Sequence, residues 1–86
     1  MIGIEKAPAH LRVMIERDPD ISRVIAAVED DRVAPLAAVT VADQDGDPEI
    51  LIFNDGELLE REPAQSAEPA IEAHAWLLDI VEEYLG

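Results

Sequence analysis

Apolar residues recur along this chain in several distinct rhythms, and each rhythm implies an element. Between Ala7 and Arg17, Leu11, Met14 and Ile15 share one side of a helix, with Pro8 suited to its first turn. Asp18-Pro19-Asp20 interrupts the pattern, placing Asp18 as an N-cap and Pro19 at the first helical position. Ile21, Val24, Ile25 and Val28 then fall at i, i+3, i+4 and i+7, which predicts a second helix. Its end is expected near Glu29-Asp30-Asp31, with Pro35 confirming the stop.

The period changes at Leu36. Leu36 to Ala42 reads as a strand, by its length and its β-branched cluster Val39-Thr40-Val41. Asp43-Gln44-Asp45-Gly46-Asp47-Pro48 is dense turn chemistry. Glu49-Ile50-Leu51-Ile52-Phe53 is a second strand, apolar on both sides and so expected to be covered on both faces. Asn54-Asp55-Gly56 is another hairpin signal, leading into a short third strand over Glu57 to Glu60. After a polar connector, Pro69 opens a last helix that runs to about Leu85.

On that helix Ile71, His74, Ala75, Leu78, Val81 and Leu85 share one side, the expected core side, and Ala73, Leu77, Ile80 and Tyr84 an adjoining one. The polar remainder is a stripe of Glu72, Asp79 and Glu83. So broad an apolar face implies either that the small core wraps much of the helix or that one side packs the sheet while Trp76, Ile80 and Tyr84 meet another chain, a homodimer being the commonest form. The expected architecture is α+β, one domain over residues 1–86. An antiparallel two- to three-stranded sheet packs against helices in the order α-α-β-β-(β)-α.

Charge changes the picture more than composition does. Twenty acids stand against six Lys and Arg, for a net charge of −14. Residues 33–86 hold thirteen of the acids and only one base, Arg61. Direct nucleic-acid binding is excluded, because a phosphate-tracking surface must be positive, and an anionic bilayer is equally disfavoured. With no cysteine there is neither a disulfide nor a thiolate metal site. With neither a signal-peptide pattern nor a membrane-length apolar run, the expected location is the cytoplasm, that of the bacterial host if the protein is phage-encoded.

Catalytic patterns fail on inspection. Asp43-x-Asp45-x-Asp47 suggests a calcium loop, but glycine is fourth and not sixth, Pro48 occupies position six and Asn54 position twelve. His10 and His74 have no partner at metal-ligand spacing. The hydroxyls of Ser22, Thr40, Ser66 and Tyr84 lie near no glycine-rich elbow, and there is no phosphate cradle. The chain reads as a non-enzymatic protein without metal or cofactor. The carboxylates themselves are then the candidate functional groups: Asp43, Asp45, Asp47 and Glu49 at one hairpin, Asp55 and Glu57 at the next turn, and Glu72, Asp79 and Glu83 on the last helix. Such a lattice can imitate the field of duplex DNA to a basic groove.

The pieces Val28-Glu29-Asp30-Asp31, Ala38-Val39-Thr40-Val41-Ala42-Asp43, Asp45-Gly46 and Trp76-Leu77-Leu78 set out a layout over residues 24–85. It resembles that of small acidic phage and prophage proteins, and in size and charge the chain is similar to those that inhibit host defence, anti-CRISPR proteins among them. The resemblance implies a protein-binding inhibitor that occupies the basic surface of a host nucleic-acid-binding complex by DNA mimicry. It assigns no individual residues. The alternative is a halophile-adapted or phage-encoded homodimeric assembly or regulatory module, with acidity serving solubility. Salt adaptation should acidify every surface, so the uneven split of charge favours the inhibitor.

Overall fold

The computed structural model describes residues 1–84, and of Tyr84 the backbone alone. Two 3-10 turns, Ile4–Lys6 and Ala9–Leu11, lead into a short helix α1 (Arg12–Arg17). Four strands follow: β1 (Ile21–Glu29), β2 (Leu36–Asp43), β3 (Pro48–Asn54) and β4 (Glu57–Pro63). Helix α2 (Pro69–Tyr84) completes the described fold, and the expected helix end near Leu85 lies outside it. The strands form an antiparallel meander in the order β1-β2-β3-β4.

The hairpin expected over residues 36–54 is present, pairing from Leu36 with Asn54 to Ala42 with Pro48 without a register break. At the next turn Asp55 (φ 46°) and Gly56 (φ 90°) both take positive φ. That is the two-residue geometry whose twist matches the flanking strands, and it explains the Asp-Gly pair. The strand expected over Glu57 to Glu60 is β4, which is longer and reaches Pro63.

The predicted second helix is instead strand β1. Its pairing with β2 slips between Ile21 and Arg23 and again between Val24 and Ala26. Each slip adds a residue, so one-face positions recur every third residue: Ile21, Val24 and Ala27 all pack into the same cluster. A bulged strand thereby imitates the helical i, i+3 spacing. The β-branched Ile21, Val24, Ile25 and Val28 suit the strand better than the helix. Asp18 accordingly follows α1 instead of capping a new helix, and its carboxylate accepts the Asp20 N–H at 2.9 Å.

Both faces of the sheet are covered, which accounts for the apolar character of β2 and β3. On one face Ala7, Leu11 and Ile15 pack against Val39, Val41, Leu51 and Phe53. On the other, Ala73, Leu77 and Ile80 of α2 pack against Ala38, Ile50 and Ile52. Chain entry is held by Gly3, whose φ is 76° and whose α-carbon sits against β1 so closely that a β-carbon would lie 2.2 Å from the Val24 carbonyl oxygen. The Val24 N–H donates to the Ile2 carbonyl at 2.9 Å, giving the edge strand β1 a local cover.

Helix α2 buries the side expected to adjoin the core side. Ile80 is 2% exposed, whereas Ile71 is 64% and Leu78 is 38% exposed, so Leu78 is not a core residue. Small Ala73 lets the helix approach the sheet closely. The alternative side contains His74, whose imidazole would lose water on burial. His74 instead sits half-buried, its Nε2 3.6 Å from Asp30 Oδ2. No described helix is long and apolar enough to cross a membrane.

Candidate functional site: a divided acidic surface

The meander places its turns at alternate ends, so the predicted acids do not form one cluster. Asp43, Asp45, Asp47 and Glu49 lie at the β2–β3 turn, whereas Asp55 and Glu57 lie at the β3–β4 turn. A strand of this length separates the two groups by about 25 Å. Sequence order brings in further acids at both ends. Asp20, before β1, joins Asp43, Asp45, Asp47 and Glu49 around an open cavity of about 380 Å³. Glu29, Asp30 and Asp31 join Asp55 and His10 around another of about 290 Å³ at the opposite end. These additions flank β1, whose extended conformation carries its two ends to opposite ends of the sheet.

Several of the acids serve the fold. Asp43 Oδ1 accepts the N–H groups of Asp45 and Asp47, both at 2.9 Å, and so ties its own turn. The Asp43, Asp45 and Asp47 carboxylates each offer an oxygen within 4.8 Å of the others. Glu72 accepts from the N–H groups of Gln65 and Ser66, docking the connector onto the first turn of α2. Glu49 receives Arg61 through two bonds, at 2.8 and 3.1 Å, and Asp18 binds the same guanidinium at 2.6 Å. The bond to Glu49, then that to Asp18, raises the Arg61 pKa above its already high ordinary value.

Arg61 thus joins the segment after α1 to β3 and β4, and its charge is used internally. Asp30 is the other carboxylate with a close cation. Hydrogen bonds from the Arg32 side chain and backbone hold it well below the usual carboxylate range. The remaining predicted acids, Asp45, Asp47, Asp55, Glu57, Asp79 and Glu83, are exposed. Among the described residues, Glu49 alone of the thirteen carboxylates beyond residue 32 is paired with a cation.

The apolar surface expected from Trp76, Ile80 and Tyr84 is not presented as a unit. Ile80 is in the core, Trp76 is half-buried against it, and the Tyr84 side chain lies outside what is described. Among the described residues, the exposed large apolar side chains of α2 are Ile71 and Leu78, on the face expected to be the inner one. Periodicity located both apolar sides, but the one expected to face the core is the one exposed. Comparison with protein-family models, curated proteins and solved structures finds no match.

Proposed function

We propose that this protein is a non-catalytic acidic binding module that occupies the basic, nucleic-acid-binding surface of another protein, in the manner of a DNA mimic that inhibits a host defence nuclease complex. The observation that carries the reading is the unpaired charge: from β2 to the end of α2, the only Arg or Lys is held between two carboxylates. The N-terminal layer differs, with four acids and three bases in residues 1–20. Acidity acquired for solubility alone would be spread over both layers.

The magnitudes support mimicry. The molecule is 35 Å along its longest axis. Duplex DNA of that length carries about 20 charges, against a net −14 here. Acids at both ends of the sheet give the field the extension that a single turn would lack. Binding to a basic groove would be fast, and it would weaken with salt as screening shortens the reach of the charges.

The test is displacement of labelled duplex DNA from nucleic-acid-binding nuclease complexes at low ionic strength. Replacing Asp45 and Asp47 by Lys reverses two exposed charges, a change of four units, and spares the turn bonds made by Asp43. The expected result is displacement that fades with salt and requires at least about tenfold more of the reversed variant. Equal potency of the reversed variant, or displacement from no complex, would overturn the proposal.

A further inference from the structure

The outer face of α2 carries an apolar ridge within an acidic layer. Ile71, Ala75 and Leu78 fall at i, i+4 and i+7, one above another, and all three are exposed. Asp79 lies beside Leu78, and Glu82 continues the ridge one turn further; both are exposed. Residues 64–84 contain five acids and no Lys or Arg. The layer therefore combines an apolar stripe with acids along one edge, Asp79 and Glu82, while His74 flanks the other edge beside the Asp30–Arg32 pair.

That combination discriminates among occupants. A second copy docked ridge to ridge would bring together two bodies that each carry a net charge of −14. It would also be small: a helix of sixteen residues presents a strip of about 24 Å by about 10 Å. A stable dimer needs about 800 Å² on each partner, whereas a short helical segment on this strip makes a weak, transient contact that suits one of two points of engagement. An anionic membrane would be repelled by the same net charge. A short helix with its own apolar stripe edged by Lys and Arg satisfies both components at once. Its apolar side chains would cover Ile71 and Leu78 while its cations meet Asp79 and Glu82.

We infer that the outer face of α2 is a docking site for a basic amphipathic helical segment of a partner protein. The inference rests on the proposed function for the sign of the partner, and adds a second, partly apolar contact distinct from the turn acids. Two-point engagement of one partner would raise apparent affinity beyond that of either contact alone.

The probe is a synthetic Leu/Lys peptide with helical amphipathic spacing, titrated into the full chain at physiological ionic strength. Trp76, the only tryptophan, lies on α2 and reports binding by its emission. The expected result is saturable one-to-one binding. Ile71→Ser with Leu78→Ser should weaken it about tenfold or more, and Asp79→Asn with Glu82→Gln should weaken it less and flatten its salt dependence. Asp45→Asn with Asp47→Asn should change it by less than about threefold. All four positions on α2 are exposed, so unchanged melting curves are expected to show that the fold survives. Wild-type affinity in the Ile71/Leu78 variant overturns the inference, as does an equal loss in the Asp45/Asp47 variant. Light scattering that shows self-association abolished by the ridge variant would also overturn it, in favour of a second copy. Failure of DNA displacement with the peptide result intact would remove the groove-binding reading and leave the ridge as a site.

Discussion

Single residues show where the fold tolerates an imperfect fit. Thr40 lies in the middle of β2, is 1% exposed, and among the described residues its Oγ1 has no hydrogen-bond partner. A buried hydroxyl without a partner costs about 1–3 kcal/mol. Thr40→Val removes the oxygen at nearly constant shape and keeps a β-branched side chain suited to a strand. The expected outcome is a stability gain of about 1 kcal/mol in urea unfolding at an unchanged slope. A loss of similar size would show that the hydroxyl is satisfied in solution. Thr40 was legible in the sequence as a strand residue, but its burial was not, because burial depends on α2 arriving over β2 from a distant part of the chain.

At the scale of elements, the two exposed hairpin signals were legible and the bulged strand was not. Asp55-Gly56 encodes its turn through backbone conformations that few residue pairs adopt, so the information is local. Strand β1 depends on two slips that exist only relative to β2, and those slips reproduce helical spacing in the one-dimensional pattern. Helix α2 repeats the lesson: its boundaries follow from Pro69 and its apolar run, whereas the buried side was set by contact with the sheet. Ile80→Ala is expected to cost about 2–5 kcal/mol, since the side chain is enclosed. Leu78→Ala is expected to cost less than about 1 kcal/mol. Paired thermal melts check the difference, and equal costs would contradict the assigned orientation of the helix.

For the whole molecule, electrostatics sets the response to solvent. A net charge of −14 on so small a body repels itself, and the only base beyond residue 32 is already committed at Arg61. Raising salt from about 0.1 M to about 1 M shortens the screening length from about 10 Å to about 3 Å. The melting temperature is therefore expected to rise with salt, because relief of exposed repulsion outweighs weakening of the partly buried Arg61 pairs. A melting temperature that falls with salt would show that the ion pairs dominate. The same screening should weaken association with a basic partner, so stability and binding are expected to move in opposite directions.

The amino-acid sequence by itself determined the β2–β3 hairpin, the Asp-Gly turn, the closing helix and the unequal distribution of charge. Each of these is a matter of near neighbours or of counting, which a linear pattern records in full. Only the tertiary structure decided that residues 21–29 form an edge strand, that α2 turns Ala73, Leu77 and Ile80 inward, and that Arg61 reaches Asp18 across forty-three positions of chain. It also divided the acids between opposite ends of the sheet. These features depend on which segments meet, and meeting is governed by burial and strand pairing between residues far apart in sequence. A spacing of three can be a helix turn or a bulge, and the partner strand selects between them.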